Sequence, residues 1–473
     1  MKSIISLSKL IDLKNDYPNR VISNQEDLAG VLFNAIINGE VENNEDIKQI
    51  WGGVSPKNGV KRVKTVLEER LINSILSDRA GAVNLKEAYQ YIYKRISAAK
   101  ILQAKGKYMT VAEILEPTFK IASKFEFTEC IFQIAKELKY FYSLNVDKKK
   151  YNYYNNKYKE FSGIYQLECE LESYYTDILV RINGKISYSK EDLEFVGQTI
   201  AVINQIPKKS SLIIALQAFI NIFYAKMNDR ELDVISICEK TTSLFLNKPS
   251  KTPQSYIFTI LYYSVPIYIK QGNFERCEEI LAKCESFANR EGFNWIRLQQ
   301  FKAILLFYQL DWKRAKDLCE TVLKRKSVNL EQRELWSVYL AYSCLFLGDQ
   351  IKSSKIINDI HTFLNDKRGM YFHAIILQLI SYISRKKFGT FIDKSPSFES
   401  YLYRHLNTRT TRRQWFFSKA ILGLEKASFK KENVEKHCQP WIDKMNQYPM
   451  SSNFELEFIP YNIIWEKVVG WLE

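Results

Sequence analysis

Turn signals at a fixed interval of 38 residues constrain this chain more than anything else in it. Gln271-Gly272-Asn273-Phe274, Gln309-Leu310-Asp311-Trp312, Leu347-Gly348-Asp349-Gln350 and Arg385-Lys386-Lys387-Phe388 share that spacing. A repeat of roughly 20 to 50 residues marks stacked units, none of which can bury its apolar face alone. In the same register Val265, Ala303, Ala341 and Leu379, then Tyr268, Leu306, Cys344 and Tyr382, precede the turns. Cys277, Ala315, Ser353 and Phe391, then Leu281, Cys319, Ile357 and Ser395, then Cys284, Val322, Ile360 and Phe398, follow them. Spacings of three and four put these columns on one face of a helix before each turn and one face of a helix after it. The expected unit is a helical hairpin, and Ser395-Pro396 interrupts the second helix of the fourth copy.

Only 17 Gly and 11 Pro are spread over 473 residues, and few stretches alternate polar with apolar. That texture predicts an all-α chain. Eight cysteines show no metal-knuckle spacing, and at least four of them fall in apolar repeat columns. They read as small buried hydrophobes in a reducing compartment. No run approaches 18 apolar residues and the N-terminal segment lacks an apolar core, so the expectation is a cytoplasmic protein with no membrane contact.

The hairpin pattern resembles the tetratricopeptide repeat, in which a small residue and an aromatic on helix A precede a Gly-Asp or Gly-Asn turn and a small residue follows on helix B. Gly272-Asn273-Phe274 with Cys277 and Leu310-Asp311-Trp312 with Ala315 carry the likeness across residues 254–400. The resemblance implies a right-handed α-solenoid whose helix A faces line a concave groove that receives a peptide. Carried across in register, the groove residues are Tyr262, Lys270, Arg297, Gln300, Phe307, Tyr308, Tyr342, Phe346 and His373. Around this block the expected organisation is an N-terminal helical cap over 1–100, divergent hairpins over 101–253, and basic, aromatic capping helices over 401–473. The alternative for the groove residues is that the longer repeat buries them as core.

Two regions invite a nucleic-acid reading. A short helix, a glycine turn and the helix Val60–Ile72 have the outline of a helix-turn-helix, with Lys57, Lys61 and Lys64 toward DNA; a capping hairpin has the same outline. Segment 385–431 holds twelve basic and three acidic residues, a net +9 out of the chain's +15. Its cationic patch, Arg404, Arg409, Arg412, Arg413 and Lys419, is interleaved with aromatics, as in surfaces that grip phosphate and stack bases. Against this, the same arginines suit acidic faces of neighbouring helices while the aromatics pack inward. The lysine-rich run 148–159 reads as an amphipathic helix with Tyr151, Tyr154 and Tyr158 facing inward.

Nothing in the sequence points to catalysis. The four histidines lack zinc-ligand spacing, no nucleophile elbow or phosphate loop occurs, and Glu168, Glu170 and Glu172 read as solvated charge. The expected function is therefore a non-enzymatic scaffold or adaptor for a protein or peptide partner, with no cofactor and no metal. The alternative is a nucleic-acid-associated regulator or subunit of a nucleoprotein complex using segment 385–431. Oligomeric state stays open.

Overall fold

The computed structural model describes residues 4–5, 7–8, 27–41, 43, 45–47, 59–76, 84–182, 188–247, 253–288, 293–325, 328–358, 369–406, 411–450 and 457–472. Among the described residues every regular element is an α-helix. Two compact units divide the chain, residues 1–162 and 163–473.

In the first unit, α1 (Leu28–Ile37) packs on α2 (Gly59–Leu76) through Leu32, Phe33 and Ile36 against Val63, Leu67 and Leu71. Lys61 is exposed and Lys64 half-buried on α2, while Lys57 lies outside the described residues. A second core joins α3 (Leu85–Ala104), α4 (Tyr108–Lys124), α5 (Thr128–Leu144) and the start of α6 (Lys148–Ile182). Residues 85–100 thus share a core with residues beyond 101. Tyr154 is buried there and Tyr151 and Tyr158 pack beside it, as the three-and-four spacing requires. Each connection between these helices is three residues long with its middle residue left-handed: Gly106 (φ 72°), Glu126 (φ 56°) and Val146 (φ 54°). The next N–H donates five residues back, as in Lys107 to Leu102 O (2.9 Å), Phe127 to Ala122 O (3.1 Å) and Asp147 to Tyr142 O (3.2 Å). This closure satisfies carbonyls that the helix end leaves open.

The second unit takes the rest of α6, then α7 (Lys190–Ile203), α8 (Ser211–Met227) and α9 (Glu231–Leu246). On α6 the carboxylate of Glu168 is not solvated: the residue is buried, four positions from Ile164 and three from Leu171 on the same helix face. The repeat hairpins follow as α10 (Gln254–Lys270) with α11 (Phe274–Phe287), α12 (Phe293–Tyr308) with α13 (Trp312–Leu323), α14 (Leu330–Phe346) with α15 (Gln350–Asn358), and α16 (Met370–Ser384) with α17 (Phe388–His405). Their turns reuse the same closure in the 38-residue register, with Gly272 (φ 71°), Leu310 (φ 60°), Gly348 (φ 88°) and Lys386 (φ 56°) left-handed. Asn273, Asp311 and Asp349 then accept from the backbone N–H groups of Arg276, Arg314 and Lys352, capping the second helix.

Among the repeat columns the described residues are all buried except Tyr382, which is half-buried, and Ile360 lies outside the description. One expectation fails: α17 runs through Pro396 without a break. Pro396 and Ile392, whose carbonyl loses its donor, are both exposed, where solvent can replace the missing bond at little cost. The unit closes with α18 (Arg412–Lys426), α19 (Lys431–His437), α20 (Gln439–Asn446) and α21 (Tyr461–Gly470). Seven of the eight free cysteines are buried and Cys169 is exposed; burial pushes the Cys277 and Cys284 thiols up to about 12, the behaviour of packing groups rather than nucleophiles.

Candidate binding groove

The residues carried across onto the first helices, α10, α12, α14 and α16, are largely aromatic, but they do not face open solvent throughout. Tyr262 is half-buried, its ring 4.6 Å from Phe301. Lys270 pairs with Glu231. Arg297 is exposed, and Gln300 donates from Nε2 to the Tyr339 hydroxyl at 3.2 Å. Phe307, Tyr342 and His373 are fully buried, Phe346 is buried and Tyr308 half-buried. The Tyr342 hydroxyl donates to the backbone carbonyl of His373 at 3.0 Å.

Phe307, Tyr342, Phe346 and His373 pack against the chain's own segment 457–472. The Phe458 ring lies 5.7 Å from Phe307, 4.6 Å from Tyr339, 5.4 Å from Tyr342 and 4.5 Å from His373. Tyr461, fully buried, stacks on Phe417 at 4.6 Å, and Trp471 reaches Phe346 at 6.0 Å. Phe458, Ile459, Ile464 and Val468 have no exposed surface. Each ring so enclosed removes an area that stabilises by about 2–3 kcal/mol relative to exposure.

The segment is fixed electrostatically by Arg413. Its Nε and Nη2 donate to the two oxygens of Glu457, both at 2.8 Å, while Nη1 donates to the carbonyls of Met445 (3.1 Å) and Tyr448 (2.8 Å). The two side chains are 11% and 2% exposed, so this is a desolvated, bidentate pair. Burial pulls the Arg413 guanidinium down, and the Glu457 contacts outweigh it and leave the group above its ordinary value. Glu457 Oε1 also accepts from Tyr461 N at 3.1 Å, placing a negative charge at the start of α21.

The cationic patch is therefore partly spent inside the fold. Arg413 points inward, and Lys419 donates to Glu399 at 2.8 Å with its ammonium over the Tyr403 and Trp415 rings. Arg412 is exposed and donates to the Tyr448 hydroxyl at 2.8 Å. Arg404 is exposed, and Arg409 lies outside the described residues. Segment 457–472 belongs to the expected capping helices over 401–473, but its packing against Phe307, Tyr342 and His373 was not expected from the sequence. Its signal was present, since Phe458, Tyr461, Ile464, Trp465, Val468 and Leu472 keep helical spacing after an acidic residue, but it sits outside the repeat that organised the reading.

Among the described residues no group of three or more His, Cys, Asp or Glu side chains is placed to hold a metal ion, and no helix is long and apolar enough to cross a membrane. Neither a protein-family model nor a curated protein matches the chain.

Proposed function

We propose that the hairpins from α10 to α17 form a tetratricopeptide-like, right-handed solenoid and that the chain is a non-enzymatic adaptor that receives a peptide on their inner face. The observation that carries this reading is Phe458, held among Phe307, Tyr339, Tyr342 and His373 with an amphipathic helix following it. A surface whose occupant is a short helix with aromatic anchors is built for helix-in-groove recognition. The nucleic-acid reading draws less support, because Arg413 and Lys419 are already neutralised by carboxylates.

The reading is tested by placing a photo-crosslinking residue at position 297, exposed on α12, and at position 313, exposed on α13. A protein adduct at 297 that survives nuclease and is absent at 313 is the expected result. Equal adducts at both positions, or loss of the adduct on nuclease treatment, would sink the adaptor reading.

A further inference from the structure

We infer that residues 457–472 are a resident occupant of the groove, displaced by a partner peptide that carries the same recognition pattern. That pattern is a carboxylate, an aromatic at the next position and a second aromatic four positions after the carboxylate, leading into an amphipathic helix. The inference rests on the adaptor reading above and names its partner.

Three observations support it. The segment lies outside the 38-residue register: the columns that bury Ala303, Ala341, Ala315 and Cys319 join the hairpins to each other through α12, α13 and α14. Helices α12, α13 and α14 are thus joined to one another by contacts the segment does not make. Next, the segment meets its own backbone needs, since Glu457 accepts from Tyr461 N and Pro460 O accepts from Ile463 and Ile464. A free peptide of this pattern would bring its helix cap with it. Finally, its anchors are side-chain contacts that a second molecule can copy: the Arg413 fork on the carboxylate, the slot for Phe458 and the Phe417 face for Tyr461. A planar, bidentate guanidinium selects a carboxylate over a neutral amide, so a partner lacking that charge is discriminated against.

The test uses the full-length protein. In the wild type, hydrogen exchange followed by mass spectrometry should show α21 opening on its own, with amide protection at least about tenfold below that of α14 and α16. Equal protection of all three helices overturns displacement while leaving the adaptor reading standing. A full-length E457Q/F458A variant with native helical content should then bind a fluorescent synthetic peptide of wild-type residues 457–472 at least about tenfold more tightly than the wild-type chain does, because its internal competitor is weakened. Adding R413M should abolish that gain, and a scrambled peptide should not bind. If α21 opens but the variant binds no peptide, both the inference and the groove's role as a peptide receptor fall. Concentration-dependent dimerisation of the variant without peptide binding would identify a second copy as the occupant and overturn the inference.

Discussion

Replacing Arg413 with Met is the most discriminating stability experiment on this protein. Methionine keeps much of the apolar stem but removes the guanidinium, leaving the Glu457 carboxylate, 2% exposed, with the Tyr461 N–H as its remaining donor of those described around it. The carbonyls of Met445 and Tyr448 lose Nη1 at the same time. Removing one partner of a buried pair costs about 3–5 kcal/mol, because the other charge is stranded in a medium that cannot solvate it. Against a total stability of roughly 5–15 kcal/mol, that is a large fraction. The double variant R413M/E457Q no longer strands a charge, so it should recover about 2–3 kcal/mol relative to the sum of the single changes. Urea unfolding followed by tryptophan emission measures both quantities, since Trp465 and Trp471 lie on and just after α21. A single-variant loss below about 1 kcal/mol, or strict additivity in the cycle, would refute the reasoning by showing that the carboxylate reaches water.

Three more outcomes can be checked directly. Val146 is β-branched and left-handed at φ 54°, so V146G should stabilise the first unit by about 1 kcal/mol in thermal melts, whereas G272A in the matching conformation should lose about as much; the opposite order would contradict the turn assignment. G423A should destabilise by about 1–3 kcal/mol, because a Cβ there meets His437 O at 2.8 Å and Cys438 Sγ at 3.2 Å, and C438A should not rescue it since the closer atom is backbone. For Glu116, burial raises the carboxyl but hydrogen bonds from Lys150 and Tyr142 outweigh it and hold it below 4.5. Its contribution to stability is therefore present above pH 4.5 and disappears as pH falls through the lower folded value, and E116Q should flatten that acid limb in a pH series of melts.

The hairpins were legible because each is a local object. A turn such as Gln271-Gly272-Asn273-Phe274 and the three-and-four columns on either side of it fix helix, break and helix within about 38 residues, and the left-handed angles fall at the position each turn signal marks. Even Leu310 and Lys386, which pay for that conformation where Gly272 does not, occupy the register the repeat assigned. The amphipathic side of α6 was equally visible, since Tyr151, Tyr154 and Tyr158 lie within two turns of one helix.

What the sequence left undecided depends on residues far apart in the chain. The same columns are compatible with an open groove or a filled one, and the difference is Phe458, 85 positions from His373 and 151 from Phe307. Likewise, Arg413 looks like any other cation in a net +9 segment until Glu457 is brought to 2.8 Å from it. Periodicity records which face of a helix is apolar, because that is set by the 3.6-residue turn. It does not record which distant segment covers that face, because any apolar surface of the right size would satisfy the same pattern, and only the tertiary structure selects the one that does.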